Sequence, residues 1–100
     1  MEKRRPHYDL DTIKATFASV ASLRLTRTAR NCAFGLGLLL QGVVDLIQGM
    51  TREQFYKSMT SQMNPSFWQD VYHVPWQATI LYVKFTTDDE GYLVISLKER

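Results

Sequence analysis

The sequence predicts an α+β fold in which an antiparallel sheet packs against N-terminal helices. In the first half of the chain, apolar residues recur at helical spacing, whereas from Phe67 onward aromatic and β-branched residues alternate with polar ones. The helices therefore precede the strands, which is the order typical of α+β proteins. With 100 residues and 45% hydrophobic content, the chain holds enough apolar material for one core, so a single domain over residues 1–100 is expected.

The first two predicted helices each follow a capping residue. Asp9 can cap the first, which runs to about Ala21. Its buried face carries four apolar residues at helical spacing: Leu10, Ile13, Phe17 and Val20. After a short extended piece or turn at 24–28, Thr26 or Thr28 can cap a second helix that ends near Gly35.

Two further helices are predicted before the strands. The third spans 39–48, with Gly49 after it and three residues turned inward: Val43, Leu46 and Ile47. Gly42 within it costs roughly 1 kcal/mol of helix propensity. The fourth begins at Thr51, because Gln54 three residues later completes a capping box.

This fourth helix carries the stretch FYKSMT at positions 55–60. Phe55 and Met59 lie four residues apart and are expected to share the buried face, with Tyr56 and Lys57 beside it. A break is expected after the helix, at Asn64 and Pro65.

The last two strands, 79–86 and 92–98, are predicted to form a hairpin whose register follows from their alternation. The apolar sets must share a face, because a slip by one residue would place a lysine in the core. Only a loop with an odd number of residues meets that condition, and a three-residue loop at 89–91 with Gly91 left-handed is a common solution. This register pairs Asp88 with Tyr92 and Tyr82 with Lys98.

The hairpin thereby brings polar side chains together on the face away from the core. They are Tyr82, Lys84, Ser96 and Lys98. Directly paired residues have Cβ atoms only about 5 Å apart, so the Tyr82 phenol and the Lys98 ammonium can act on one phosphate. The alternative is an ordinary solvated sheet face, on which exposed Tyr and Lys are common.

Charge and cysteine content limit the classes of function. Residues 1–30 hold seven Lys or Arg against three acids, which suits a polyanionic partner or a solvated basic face. Cys32 is the only cysteine, so neither a disulfide nor a thiolate metal site is available within one chain, and a reducing cytoplasm is expected. The N-terminus lacks the apolar region of a secretory signal, and no apolar stretch approaches the roughly 18 residues of a membrane span.

Five segments, taken together at their spacing, carry a family resemblance: MEKRRPHY, FYKSMT, WQDVY, LYVKF and SLKER. Over nearly its whole length the chain resembles the motility quorum-sensing regulator (MqsR) toxins, bacterial mRNA interferases of toxin–antitoxin pairs. The resemblance implies a RelE-like fold and ribosome-independent cleavage of single-stranded mRNA at GC-containing triplets such as GCU. The family's catalytic roles fall on Lys57, Gln69, Tyr82 and Lys98.

The resemblance also implies a partner. This is an MqsA-like antitoxin with a zinc-binding N-terminal part and a helix-turn-helix DNA-binding part. Zinc and operator DNA would then be bound by the antitoxin, and no metal, other cofactor or membrane is expected for this chain.

RNA cleavage without a metal uses the substrate's own 2′-hydroxyl as nucleophile and leaves a 2′,3′-cyclic phosphate and a 5′-hydroxyl. The protein must then supply a base, an acid and charge stabilisation. Crowding Lys57 and Lys98 with other cations would favour a neutral lysine, which can accept the proton, and Tyr82 can donate one. The remaining ammonium stabilises the phosphorane, and Gln69 orients the phosphate or reads a base. Which group is the base and which the acid stays open.

A second set of residues is predicted to contact RNA: Tyr56, His73, Lys84, Arg24 and Arg27. In the family, an arginine lies near the position of His73, so the role of this histidine is open. His7 is expected to cap the first helix or to pack against Tyr8. Trp68 is expected in the core, whereas Trp76 after Pro75 fits core packing or stacking on an RNA base equally well.

The acids at 88–90 are explained by turn chemistry. A non-catalytic module that binds RNA or a protein through the same sheet face remains the alternative function.

Overall fold

Five antiparallel strands form one sheet, in which the spatial order of the strands is their order along the chain. The computed structural model describes residues 1–60 and 66–100. Within them the strands are β1 (Glu2–Lys3), β2 (Phe55–Thr60), β3 (Trp68–Trp76), β4 (Thr79–Thr87) and β5 (Leu93–Glu99). The predicted α+β class is confirmed, whereas the break at Asn64 and Pro65 lies outside the described residues.

Three α-helices precede β2 in the described part of the chain: α1 (Leu10–Thr16), α2 (Arg27–Leu36) and α3 (Leu40–Gln48). The Asp9 carboxylate caps α1 by accepting from the Thr12 N–H at 3.0 Å, as predicted. Of the two candidates for the second cap, Thr26 is the one used, since its hydroxyl accepts from the Ala29 N–H at 3.0 Å.

The predicted end of the first helix is wrong, whereas that of the second is confirmed. The first helix stops at Thr16 instead of Ala21, because a separate 3₁₀ turn, Val20–Ser22, begins after Ser19. That turn leaves Val20 exposed. The second helix ends near Gly35, as predicted: its last residue is Leu36, and Gly37 after it has a φ of 75°, the left-handed conformation of a helix terminus.

The predicted fourth helix is also wrong. The capping box of Thr51 and Gln54 is present, but it closes only a single 3₁₀ turn, Arg52–Gln54. The chain then enters β2 directly, so FYKSMT is a strand. Aromatic Phe55 and Tyr56 follow the turn, and such residues favour a pleated sheet over a helix once a neighbouring strand is available to pair with.

The helices pack against one face of the sheet, which we call the core face. There Ile13 of α1 and Phe17, which directly follows this helix, meet strand residues such as Tyr72 and Phe85, all fully buried. Two of the three residues predicted to turn inward on α3, Val43 and Ile47, are buried, together with Val44, whereas Leu46 is half-buried. The opposite face, which we call the open face, has no helix in the described residues.

Trp68 and Trp76 lie at the two ends of β3. Of the two readings left open for Trp76, the structure shows packing against the core. Trp68 is half-buried beneath the N-terminal segment, with the Lys3 ammonium 4.2 Å from its ring centroid, so its predicted place in the core is only partly right.

The hairpin of β4 and β5 has the predicted register. Tyr82 pairs with Lys98. The Asp88 N–H donates to the Tyr92 carbonyl at 2.9 Å, and Gly91 has a φ of 87°.

Among the described residues, no single helix is long and apolar enough to cross a membrane. Only α2 and α3 taken together reach that length and composition, and they are bent by 98°.

Candidate active site

A β-bulge in β2 places two consecutive side chains on the open face. Phe55 pairs with Tyr72 and Lys57 with Val71, so Tyr56 is an extra residue without its own partner on β3. Phe55 points to the core, whereas Tyr56 and Lys57 both point to the open face. Met59, two residues beyond Lys57, lies there as well and does not share a buried face with Phe55, contrary to the prediction.

A cavity of about 190 Å³ opens on this face between the middle strands. Its lining contains six of the residues proposed from the sequence: Tyr56, Lys57, His73, Tyr82, Lys84 and Lys98. Met59 and Val71 complete it. Three strands, β2, β4 and β5, therefore each supply one lysine to a single small volume, and β4 also supplies a phenol. We call these eight residues the lysine cavity.

The lysine cavity contains an ion pair at its edge. The Lys57 ammonium donates to the Glu2 carboxylate at 2.7 Å, with 22% of the Lys57 side chain exposed. This hydrogen bond raises the pKa of Lys57 above its ordinary value and lowers the pKa of Glu2. The prediction that neighbouring cations would favour neutral Lys57 is therefore wrong, because sequence gave no sign that β1 brings a carboxylate to it.

Lys84 has different surroundings. It lies half-buried on β4, and among the described residues it has neither a hydrogen-bond nor an ion-pair partner. Burial lowers the pKa of Lys84, and the positive charges of Lys98 and Lys57 lower it further. Of the three lysines in the cavity, Lys84 is thus the one whose own surroundings favour the neutral amine.

Three rings form a ladder across β2, β3 and β4. The His73 ring stacks between Tyr56, at 4.4 Å between centroids, and Tyr82, at 4.7 Å. Burial lowers the pKa of His73, and the charge of Arg100 lowers it further, so the imidazole is neutral near pH 7. The Lys98 ammonium lies 5.8 Å from the Tyr82 ring centroid on the same face.

Three of the predicted site residues lie outside the cavity. Gln69 faces the same way, opposite Met59, but does not line the cavity. Arg24 lies beyond β5 near the hairpin tip, where its guanidinium is 3.8 Å from the Asp88 carboxylate and 4.1 Å from the Tyr92 ring centroid. Arg27 is exposed in the first turn of α2. The structure does not bring either arginine to the lysines.

The N-terminal segment takes part in the site, which was not predicted from the sequence. The buried Asp70 carboxylate accepts from the His7 N–H at 3.0 Å and from the Tyr8 N–H at 2.8 Å, which fixes this segment against β3. Strand β1 then pairs with β2 and holds Glu2 against Lys57. No local pattern could show this, since more than 60 residues separate His7 from Asp70.

Among the described residues, no three His, Cys, Asp or Glu side chains cluster so as to hold a metal ion.

Comparison with known proteins agrees with the resemblance in the sequence. The family model described as "Motility quorum-sensing regulator, toxin of MqsA" matches residues 5–99. The mRNA interferase toxin MqsR of Escherichia coli (strain K12) is 37% identical over 100 residues, which cover the full length of both chains. The family predicted from the sequence is confirmed: the chain belongs to the MqsR toxins.

Proposed function

We propose that this protein is an endoribonuclease toxin that cleaves single-stranded mRNA by attack of the substrate's own 2′-hydroxyl. The observation that carries the proposal is the lysine cavity, in which three lysines and the Tyr82 phenol converge on the open face. A phosphodiester is an anion, and its cleavage needs both positive charge and a proton donor at one place. The full-length similarity to an mRNA interferase supports this reading of the cavity.

Lys57 and Lys98 are the cations that stabilise the pentacoordinate phosphorane. Because the pair with Glu2 raises the pKa of Lys57, this side chain keeps its charge and acts as an electrostatic group. Lys98 is exposed and lies above the edge of the cavity beside Tyr82. Each ammonium can therefore contact a phosphate oxygen.

Tyr82 is the general acid. Among the described residues its hydroxyl has no hydrogen-bond partner, and stacking on His73 fixes the ring. Gln69 is on the same face, two positions along β3 from Val71, or roughly 7 Å. At that distance from the cavity, its amide is suited to orient the flanking nucleotide or to read a base edge.

Family membership supports three further parts of the proposal. These are selectivity for GC-containing triplets such as GCU, independence from the ribosome and a RelE-like fold. So is neutralisation by an MqsA-like antitoxin, which would itself bind zinc and operator DNA; the family description names the toxin as that of MqsA. A cytoplasmic location fits a substrate of this kind.

The products of cleavage test the reaction. We expect the purified protein to cut a single-stranded RNA oligonucleotide in the presence of a chelator, leaving a 2′,3′-cyclic phosphate and a 5′-hydroxyl. Products with a 3′-hydroxyl, or loss of cleavage when divalent ions are removed, would reject the mechanism.

A growth experiment tests the alternative, a binding module without catalysis. Expression of the protein alone should arrest growth, and co-expression of the antitoxin should restore it. A Tyr82→Phe, Lys98→Met double variant is the matched control and should be harmless alone. If the unaltered protein is equally harmless, the non-catalytic module is the better description.

A further inference from the structure

Lys84 occupies a position that differs from those of the other two lysines in the lysine cavity. The Lys57 ammonium forms an ion pair with the Glu2 carboxylate at 2.7 Å, and Lys98 is exposed at the edge of the sheet. Lys84 is half-buried on β4, an inner strand of the sheet, two residues after Tyr82 and on the same face. It lies opposite Val71 on β3 and Ser96 on β5, neither of which carries charge.

We propose that Lys84 is the general base that removes the proton from the 2′-hydroxyl, an inference that rests on the proposed ribonuclease function. A general base must be neutral before the reaction, must reach the nucleophile and must lie in the same site as the general acid. Lys84 shares the cavity with Tyr82 and has no carboxylate partner among the described residues, so nothing on its own or the neighbouring strands holds it in the ammonium form.

The charged and titratable groups around Lys84 all favour its neutral form or leave it unchanged. From β2 it faces Lys57 and Tyr56, from β3 the neutral His73, and from β5 Lys98. Burial lowers the pKa of Lys84, followed by the repulsion from Lys98 and Lys57. The Glu2 carboxylate, which reaches the edge of the cavity, is hydrogen-bonded to Lys57.

The reaction step balances with these groups alone. The Lys84 amine takes the 2′-hydroxyl proton, the 2′-oxygen bonds to phosphorus, and the bond from phosphorus to the 5′-oxygen breaks as Tyr82 gives its proton to that oxygen. The products are the 2′,3′-cyclic phosphate and the 5′-hydroxyl. The enzyme is left with a Lys84 ammonium and a Tyr82 phenolate, which return to their starting forms by exchanging one proton through solvent.

Substitution by arginine separates a base from a cation that merely binds phosphate. Arginine keeps the charge and binds phosphate, but it does not deprotonate in proteins. We therefore expect Lys84→Arg to bind an oligonucleotide with a 2′-deoxy cut site about as well as the unaltered protein, yet to cleave the RNA about 10²- to 10⁴-fold more slowly. Lys84→Met should lose cleavage as well, and Lys14→Arg on α1 is the control for a lysine outside the site.

The pH profile is the decisive readout. Single-turnover cleavage in chelator should rise with pH in the unaltered protein, as Lys84 loses its proton, and this rise should be absent in Lys84→Arg. A Lys84→Arg variant that cleaves at a near-normal rate with the same rise overturns the proposal. So does loss of the rise in His73→Phe instead, which would make the histidine the base.

A measurement on the unaltered protein covers the case in which the variants do not fold. With lysines labelled at Cε by carbon-13, Lys84 should titrate at a pH below the ordinary lysine pKa of about 10.4; titration at that ordinary value overturns the assignment. Failure of this inference is distinguishable from failure of the proposed function. In the first case the protein still yields the cyclic phosphate in chelator, and in the second it does not.

Discussion

At the scale of single residues, packing positions the Tyr82 phenol, whose hydroxyl has no hydrogen-bond partner in residues 1–60 and 66–100. Its ring stacks on His73 with 25° between the planes, and His73 in turn stacks on Tyr56 with 27°. His73 Nε2 is buried and has no hydrogen-bond partner in the described part of the chain, so the imidazole serves mainly as a flat spacer. The Tyr82 hydroxyl is left available to a substrate.

This arrangement predicts different effects for two substitutions in the ladder. Tyr82→Phe keeps the stacked ring but removes the proton donor, so cleavage should fall about 10²- to 10⁴-fold with little change in RNA binding or stability. His73→Ala removes only the support of the ring and should lower cleavage less. Single-turnover assays with thermal unfolding as a control measure both. If His73→Ala is the more damaging change, Tyr82 is not the acid.

At the scale of secondary-structure elements, the hairpin of β4 and β5 could be predicted from its sequence in full. Two strongly alternating strands allow only one parity, and a glycine at the right place selects the loop. The pairing of Tyr82 with Lys98 and the place of Lys84 on the same face follow from that register. Three of the eight residues of the lysine cavity, namely Tyr82, Lys84 and Lys98, were thus readable from 20 consecutive residues, 79–98.

Strand β2 could not be predicted in the same way. Phe55 and Met59 lie four residues apart, a spacing that puts two residues on one face of a helix and equally on one face of a regular strand. The capping box before them favoured the helix. The bulge at Tyr56 then changes the alternation, so Met59 faces away from Phe55. Pairing with β3 decides both features, and this information does not lie in the segment itself.

The hairpin loop predicts a measurable difference between two glycines. Gly91 has a φ of 87°, a conformation that costs a residue with a Cβ about 1–2 kcal/mol, so Gly91→Ala should lower the free energy of unfolding by that amount. Gly35 lies in α2 with nothing within 4 Å of an added Cβ, so Gly35→Ala should raise it by about 0.5–1 kcal/mol. Urea unfolding compares them. Equal effects of the two substitutions would contradict the left-handed loop.

At the scale of the whole molecule, the N-terminal segment completes both the fold and the site. Residues 1–8 cross from β2 to β3, where Asp70 holds their backbone and the His7 ring stacks on Trp68 at 5.5 Å. Glu2 thereby reaches Lys57, and the charge of Arg100 from the other end of the chain acts on His73. The sequence indicated Lys57 and His73 as candidate site residues, but the charged groups that shift their pKa values, Glu2 and Arg100, lie far from them in sequence.

The two histidines predict how the stability of the whole protein depends on pH. Burial lowers the pKa of His7 and of His73, with Lys3 adding to the effect on His7 and Arg100 to that on His73. In the unfolded chain both would titrate near 6.5, so below that pH the unfolded state binds more protons than the folded state. Stability from these groups is therefore complete above about pH 7 and is lost as the pH falls through their lowered folded values.

The contribution of His73 to this loss can be isolated. His73→Phe retains a flat ring between Tyr56 and Tyr82 but cannot take up a proton, so the free energy of unfolding should fall less between about pH 7 and pH 5 than in the unaltered protein. His7→Phe, which retains a ring against Trp68, should have the corresponding effect at the other site. Urea unfolding at several pH values gives the slopes. A slope that neither substitution changes would mean that the acid sensitivity of this fold arises from its carboxylates, because protonated histidines would then be tolerated in both stacks.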